Sequence, residues 1–302
     1  MRVLILHTIP PDPVPDGRRA CEFDLSEQAA NIASALPDPW IEGVQGQPGE
    51  ILRMLEKHKP TVVFNLCEAP MGRPDLEAHA AALLEWSGVR FTGCGSQTLA
   101  LCRRKDRTNA VLAAAGIPVP ATIDPASPRF PCIVRPVDED GSAALDHASV
   151  CDTQAELARH VNPEFLQEFL PGREFVVSVW GHRGPDFLSI AETQFQNGLR
   201  LITYAAKWHV ESDDFVNSPL SYHTEIEPEL RSALTRIAQA VWRAVGARHA
   251  IRVDLRLDAG GVPRVLDVNP NPEIGPGVGI CRAVQEAGWT WADFVRSLAE
   301  WA

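Results

Sequence analysis

The chain has 302 residues with 45% apolar content, which is enough for one large or two to three small globular units with cores of their own. Its formal net charge of −11, without a basic cluster, argues against a nucleic-acid partner or an anionic membrane surface. Seven scattered cysteines without a Cys-x-x-Cys pair indicate a reducing compartment and no structural zinc site, and no apolar run reaches membrane-spanning length. We therefore expect a cytoplasmic protein that acts on small molecules.

The first ninety residues alternate short apolar runs with segments of helical spacing. Strands are predicted at residues 3–6, 61–66 and 89–92, and helices at residues 26–36, 50–58 and 76–86. This βαβ alternation predicts an open parallel sheet, and functional loops are expected at the carboxyl ends of its strands.

Two loops at such strand ends carry acidic residues. The first contains Glu22 ahead of Ser26, and a helix cap alone is enough to explain Ser26. The second contains Cys67 and Glu68. Cys67 is expected to be a small buried apolar residue rather than a nucleophile.

The middle of the chain places cationic residues near the ends of predicted elements. Lys105 lies on a helix predicted at residues 99–115, which ends in a Pro-rich stop that looks like a junction between two units. Arg135 ends a strand predicted at residues 131–136, and three acids follow it. Further on, period-two alternation around Gly172 predicts a strand, a turn and a second strand.

The stretch from Ala250 to Asn269 is predicted to form two antiparallel strands. Apolar residues alternate with charged ones on both sides of a break at Gly260 and Gly261. If these glycines form a two-residue primed turn, the register of the whole hairpin follows by counting back along both strands. A helix predicted at residues 228–245 packs an apolar face and precedes this hairpin.

That register places Asp254 opposite Asp267 and Arg252 opposite Asn269. Two carboxylates directly across a ladder repel each other, so a fold that places them there favours a cation between them. Two Asp and one Asn supply oxygen ligands, which suit Mg²⁺ better than zinc. The alternative is that these are solvated residues on the outer face of an antiparallel hairpin.

Residues 252–272, with these acids and Asn269 in place, resemble the C-terminal signature of the D-alanine–D-alanine ligase branch of the ATP-grasp superfamily. The resemblance continues in family order from Glu22 to Asp293. It implies the ATP-grasp fold, an α/β and α+β architecture with an open parallel αβ domain and two α+β subdomains that clamp ATP. The expected division is residues 1–95, then 96–180 for the lid subdomain, then 181–302.

The resemblance also implies roles for the C-terminal hairpin. In that family the residues that match Asp254, Asp267 and Asn269 hold the magnesium ions that bridge the ATP phosphates, and Mn²⁺ is an alternative metal. The residue that matches Arg252 stabilises the charge on the reacting carbonyl. Ser142 and Lys207 join Arg252 as expected catalytic residues.

Nucleotide contacts are implied at a larger set of positions. Cations would contact the phosphates, amides of a mobile loop would cover the γ-phosphate, and a hinge would bind adenine and ribose. The amide of Gln167, which replaces the usual Glu, can still pair with the adenine amino group. The full set is Lys105, Arg135, Gly141, Ser142, Gln167, Glu168, Leu170, Glu174 and Lys207.

The implied reaction uses ATP to phosphorylate a carboxylate, because an amine displaces phosphate from an acyl phosphate but cannot displace an oxide at neutral pH. The product is an amide or peptide bond, with ADP and phosphate released. Glu22, Glu68, Glu273 and Gly275 are the expected substrate contacts. A homodimer is a family expectation.

Several positions depart from the family pattern. Arg135 replaces Lys, Asp267 replaces Glu, and three acids stand beside the expected γ-phosphate. Glu273 stands where the family has Gly in the loop that receives the carboxylate of the second substrate, so it favours a different, cationic acceptor. Two alternatives stay open: a nucleotide-binding protein without ligase activity, and a true D-alanine–D-alanine ligase.

Overall fold

The computed structural model describes residues 1–10, 25–138, 145–160, 165–277 and 279–302. Its helices are α1 (Ser26–Ser34), α2 (Pro48–His58), α3 (Glu77–Trp86), α4 (Ser96–Cys102), α5 (Lys105–Ala114), α6 (Gln154–Leu157), α7 (Tyr204–Trp208), α8 (Asp213–Val216), α9 (Pro228–Val245), α10 (Gly279–Glu286) and α11 (Trp291–Trp301). Its strands are β1 (Val3–Thr8), β2 (Trp40–Val44), β3 (Val62–Leu66), β4 (Arg90–Phe91), β5 (Cys132–Arg135), β6 (Val150–Cys151), β7 (Phe165–Glu168), β8 (Glu174–Gly181), β9 (Phe187–Thr193), β10 (Leu220–Ser221), β11 (His249–Leu257) and β12 (Pro263–Asn269).

The first sheet is parallel, as predicted, with the strand order β2-β1-β3-β4. All six residues of β1 are buried, and successive residues enter two different apolar clusters, one on each face of the sheet. A strand covered on both faces reads as a continuous apolar run. The edge strand β2 was missed because Glu42 and Gly43 interrupt its short apolar run.

The helix predicted at residues 99–115 is two helices, α4 and α5. The chain breaks at Arg104, whose extended backbone (φ −100°, ψ 98°) cannot continue a helix. The N–H of Lys105 then donates to the carbonyl of Val137 at 3.0 Å. Lys105 therefore lies at the start of α5 instead of in the middle of a helix.

Two antiparallel sheets follow the first. The smaller has the order β6-β5-β7, and the larger has the order β10-β9-β8-β11-β12. The strand, turn and strand predicted around Gly172 are present, but β7 and β8 belong to different sheets. Gly172 lies against the larger sheet so closely that a Cβ on it would come within 2.6 Å of the Leu257 Cβ.

The hairpin of β11 and β12 has a longer turn than predicted. The N–H of Asp258 donates to the carbonyl of Val262 at 3.0 Å, so three residues separate this pair and the two-residue turn is wrong. Gly261 has φ +79°, the left-handed conformation that such three-residue loops favour. Residues near the turn consequently pair one position away from the predicted register, for example Leu255 with Val265.

A bulge restores the predicted register where the candidate metal ligands lie. The pairing shifts between Asp254 and Leu255, which leaves Leu266 without an opposite residue. Beyond the bulge Asp254 pairs with Asp267 and Arg252 with Asn269, so this part of the prediction is confirmed.

The largest core runs from one face of the parallel sheet to the five-stranded sheet and α9, where it includes Phe175, Val177, Val253 and Leu255. Helix α9 begins and ends at the predicted residues, Pro228 and Val245. No helix in the described ranges is both long enough and apolar enough to cross a membrane. The three-part division at residues 95 and 180 stays a prediction, and β8 hydrogen-bonds within the larger sheet.

Candidate active site

The facing acids of the hairpin form the centre of the site. Asp254 and Asp267 are directly opposed on neighbouring strands. The guanidinium of Arg252 binds Asp254 through two parallel hydrogen bonds, from Nε to Oδ1 at 2.8 Å and from Nη2 to Oδ2 at 2.9 Å. The negative charge of Asp254 raises the pKa of Arg252, and burial acts in the opposite direction.

Asp267 lies within the field of four cationic side chains. Burial is the largest single influence and would raise the pKa of its carboxyl, but positive charges outweigh it and hold the pKa below the ordinary value. These charges belong to Lys105, Arg135, Arg252 and Lys207. Residues from four separate parts of the sequence therefore converge on one carboxylate.

The donor set suits a hard divalent cation. Two carboxylates and the amide oxygen of Asn269 are the available protein ligands, and that oxygen is held by the N–H of Asn271 at 2.9 Å. Within the described ranges, no group of three or more His, Cys, Asp or Glu is placed to hold a metal ion. A metal here would complete its shell with oxygens from outside the protein, as Mg²⁺ does when it binds through substrate phosphates.

Arg135 reaches from the small sheet to the large one. Its Nη1 donates to the carbonyl of Leu266 at 2.9 Å and to Oε1 of Gln167 at 3.4 Å. Leu266 is the bulged residue of β12, so the bulge supplies a carbonyl that the ladder does not use. The bulge therefore both corrects the register of Asp267 and gives Arg135 its acceptor.

The other two cations start or end short helices. Lys105 is only 5% exposed at the start of α5. Lys207 lies in the last turn of α7, with its Nζ 5.7 Å from the centre of the Trp208 ring. The hydroxyl of Thr203 caps α7 by accepting from the N–H of Ala206 at 3.0 Å, which fixes the start of this helix.

The predicted hinge residues lie at the junction between the two sheets. Gln167 and Leu170 are buried, whereas Glu168 is partly exposed and its Oε1 accepts from the N–H of Ala121 at 2.9 Å. Glu174 is buried, and this burial raises the pKa of its carboxyl to about 7, although the charge of Arg256 lowers it.

Arg256 is a site residue that the sequence analysis missed. It is 6% exposed, and its Nη1 lies 3.3 Å from Oε2 of Glu174. The guanidinium lies within about 5 Å of the ring centres of Phe169 and Phe195, at 4.9 Å and 5.0 Å. Its alternation with apolar residues indicated a solvated position, and only the packing of β11 against the hinge reveals a buried one.

Among the acidic substrate candidates, Glu68 is affected by the charge of Glu273. Burial raises the pKa of Glu68 to about 7, and the negative charge of Glu273 contributes to the same shift. Glu273 is exposed and Gly275 is partly buried in the loop after β12. A Cβ on Gly279, which has φ +51°, would come within 2.6 Å of the Glu273 carbonyl, so the loop packs closely against the start of α10.

Glu77 also reaches this loop and was missed. Its Oε1 accepts from Nδ2 of Asn271 at 2.6 Å, a contact between residues 194 positions apart in the sequence. Cys67, beside Glu68, is 1% exposed, and burial raises its pKa to about 12, which agrees with the predicted inert packing role.

Three predicted site residues, Glu22, Gly141 and Ser142, lie outside the described residues. The remaining candidates divide into three groups in the structure, and the hinge candidates at the junction of the two antiparallel sheets are the first. The phosphate and metal candidates converge on Asp267, and the acceptor candidates lie along the loop after β12 and the end of β3. Their roles stay predictions.

Comparisons with known proteins agree on one family. The profile of the D-ala D-ala ligase C-terminus matches residues 124–300. The D-alanine–D-alanine ligase of Gluconobacter oxydans is 30% identical over 241 residues, which cover 74% of each chain. An uncharacterised protein, y4sG, of Sinorhizobium fredii is 28% identical over 312 residues, which cover 96% of this chain and 89% of that one.

Solved structures show the same fold. The D-alanine–D-alanine ligase of Bacillus anthracis, complexed with ATP, superposes with a TM-score of 0.73 at 14% identity and covers 99% of this chain and 96% of its own. The VanG D-Ala:D-Ser ligase of Enterococcus faecalis superposes with a TM-score of 0.74 at 18% identity and covers 100% of this chain and 99% of its own.

Proposed function

The chain belongs to the D-alanine–D-alanine ligase family, and from this premise we propose that it is an ATP-dependent carboxylate–amine ligase that works through an acyl phosphate. The products are an amide, ADP and phosphate. The observation that carries the proposal is the convergence of Lys105, Arg135, Arg252 and Lys207 on Asp267. A cluster of cations around paired carboxylates is what a triphosphate and its metal require.

Two bond changes make up the first step. An oxygen of the substrate carboxylate bonds to the γ-phosphorus of ATP, and the bond from that phosphorus to the bridging oxygen of ADP breaks. Lys105, Arg135 and Lys207 face the negative charge that spreads over the phosphoryl oxygens and the ADP leaving group. Mg²⁺, held by Asp254, Asp267 and Asn269, supplies Lewis-acid stabilisation of those oxygens when it is bound.

In the second step the amine nitrogen bonds to the acyl carbon, the C–O bond to phosphate breaks, and the amine loses a proton. Negative charge develops on the carbonyl oxygen of the tetrahedral intermediate. We assign the stabilisation of this oxyanion to Arg252, and the position of its guanidinium beside Asp254 supports the assignment. Its raised pKa keeps it charged over the whole working range of pH.

We further propose that the acceptor differs from D-alanine and carries a positive charge. Glu273 lies in the loop after β12, and its charge is felt by Glu68 at the end of β3. Two neighbouring acids repel an acceptor carboxylate and attract an ammonium or guanidinium group.

The test is a phosphate-release screen over pairs of amino acids and amines, with ATP and Mg²⁺ present and product masses measured. The proposal expects ADP, phosphate and a condensed product, with the highest rates for cationic acceptors. Full turnover with D-alanine alone, yielding the dipeptide, would overturn the acceptor assignment and establish the D-alanine–D-alanine ligase alternative.

A second function is a nucleotide-binding protein without ligase activity. The observation that favours it is the ion pair of Arg252 with Asp254, which engages the candidate oxyanion-stabilising group with a candidate metal ligand. Nucleotide-dependent thermal stabilisation without phosphate release across the whole substrate screen would support this function over the ligase.

A further inference from the structure

Gln167 has a buried hydrogen-bond donor without an acceptor. Its side chain is 1% exposed on β7, and within the described ranges its Nε2 has no hydrogen-bond partner. Buried polar groups in native proteins are nearly always satisfied, because an unpaired one is costly. An amide NH₂ group left in this state indicates a missing acceptor.

The orientation of this amide is fixed by its neighbour. Nη1 of Arg135 lies 3.4 Å from Oε1 of Gln167, and a guanidinium can only donate. A flipped amide would place two donors against each other, so the carbonyl must face Arg135 and the NH₂ must face away from it. Arg135 is itself held by the Leu266 carbonyl at 2.9 Å, so the amide has a rigid neighbour.

The place of Gln167 in the fold identifies the occupant as the base of a nucleotide. Arg135 contacts Leu266, next to Asp267, and therefore marks the phosphate end of the site in the proposed function, on which this inference rests. Gln167 pairs with Ile133, two residues before Arg135 on β5, and lies on β7, the strand that leads to the junction between the two sheets. A nucleotide with its phosphates at Asp267 extends its base towards this junction.

We propose that the Gln167 NH₂ group donates a hydrogen bond to an acceptor atom of the purine, so that the site binds 6-oxopurine nucleotides as well as ATP. Adenine, guanine and hypoxanthine all present an acceptor at N7. Position 6 carries an acceptor in guanine and hypoxanthine but a donor in adenine. The Gln167 carbonyl is already used by Arg135 and does not select the adenine amino group. The Gln167 side chain therefore does not discriminate against GTP and ITP.

The experiment measures dissociation constants of Mg–ATP, Mg–GTP and Mg–ITP for the full chain by titration calorimetry, without other substrates. The expected constants for GTP and ITP lie within about tenfold of that for ATP, because the wild-type site offers only a donor. In Q167E the carboxylate accepts from the adenine amino group and repels O6, so the preference for ATP over GTP rises by about tenfold or more.

R135K is a second variant that keeps the positive charge. A flexible ammonium no longer fixes the amide, so its oxygen can turn towards the adenine amino group and the preference for ATP rises. Q196E is the matched control, because Gln196 is exposed in the segment after β9 and should leave the ATP to GTP ratio unchanged.

The outcomes separate this inference from the proposed function. A wild-type preference for ATP of more than a hundredfold over both other nucleotides, or a ratio unmoved by Q167E, overturns the inference while the ligase proposal stands. Failure of every nucleotide to bind overturns the proposed function itself.

Discussion

The two antiparallel sheets contribute to the site in opposite ways. The large sheet supplies the acids from long strands, since β8 and β11 have eight and nine residues and most of these residues are buried. The small sheet supplies Arg135 and Gln167 from strands of two to four residues, and among the described residues its apolar clusters are small, with five and three buried members. The first therefore fixes the positions of the charges, and the second is held to it by a few specific contacts.

Those contacts are polar and lie close to the candidate site. Arg135 reaches the Leu266 carbonyl, and the N–H of Val265 donates to the Pro118 carbonyl at 2.9 Å. Arg264 adds a longer hydrogen bond to the Val119 carbonyl at 3.3 Å. Because the acids are on one sheet and several of the cations lie outside it, a charged ligand bound at Asp267 would change the attraction between the two parts.

The largest expected effect comes from the acid at the centre of the rigid sheet. D267N removes the negative charge on which four cations converge, and we expect kcat to fall on the order of 10²–10³-fold, as for other groups that act on transition-state charge. Metal-free ATP should bind no more weakly, because the cations lose a competing acid. Phosphate release and calorimetry measure the two effects.

D38N is the matched control for this variant. Asp38 is exposed before β2 and has φ +44°, a conformation that Asn tolerates well. Its activity should equal that of the wild type. Equal loss in both variants, or a tenfold weaker binding of metal-free ATP to D267N, would contradict the assignment of Asp267 to the metal.

A smaller effect is expected at the contact between the sheets. R135A removes both the charge and the hydrogen bond to Leu266, and we expect nucleotide affinity to fall by about 10–100-fold. R135K should lose less, because it keeps the charge and loses only the planar fork. Calorimetric dissociation constants distinguish the two variants, and equal losses would mean that the forked geometry, not charge, matters there.

The fold and the antiparallel hairpin could be predicted from the sequence, but the turn and the bulge that together set the register of the hairpin could not. The register at Asp254 and Asp267 was predicted from a two-residue turn, whereas a three-residue turn shifts it by one position and the bulge at Leu266 shifts it back. Nothing in the local alternation marks that bulge, because its purpose is a tertiary contact with Arg135.

The burial and contacts of some site residues depend on parts of the chain far away in sequence, so sequence patterns could not predict them. Arg256 alternates with apolar residues like a solvated side chain, and its burial follows from packing between the hinge and β11. Glu77 opens α3 and meets Asn271 far along the chain. Lys105 was singled out by its place between two motifs, and the break at Arg104 that positions it became visible only in three dimensions.

A pH effect tests the acids near the acceptor loop. The pKa of Glu68 is raised to about 7, first by burial and then by Glu273, so this group ionises as the pH rises through about 7. With ATP saturating, kcat/KM for a cationic acceptor should rise over that interval. In E273Q the repelling charge is gone, and the midpoint should move down by about 0.5–1 pH unit. A rate profile with the same midpoint in both proteins would contradict the coupling.

The same shift has a consequence for stability. A carboxyl whose folded pKa lies above its unfolded value of 4.5 is harder to ionise in the folded state, so the free energy of unfolding falls as the pH rises from 4.5 to about 7. E68Q removes this decrease in the free energy of unfolding, because Gln does not ionise. Its unfolding temperature should exceed that of the wild type by about 2–4 °C at pH 8 and by less at pH 5. Calorimetric scans at the two pH values check the sign.

The smallest catalytic effect is expected at the far end of the rigid hairpin. Oδ1 of Asp258 accepts from the N–H groups of Gly260 and Val262 at 2.9 Å each, and Oδ2 accepts from Arg264 at 2.9 Å. D258A should therefore lower the free energy of unfolding by about 1–2 kcal/mol, measured by urea denaturation.

Catalysis should nevertheless stay within about twofold in D258A, because effects on separate, non-contacting sites are independent. The bulge at Leu266 and the pairing of Asp254 with both β8 and β12 lie between this turn and the candidate metal ligands. A change confined to the turn can then loosen the hairpin without moving the facing acids. A hundredfold loss of kcat in D258A would instead show that the turn sets the register, and D258N, which keeps the accepting Oδ1, should then restore it.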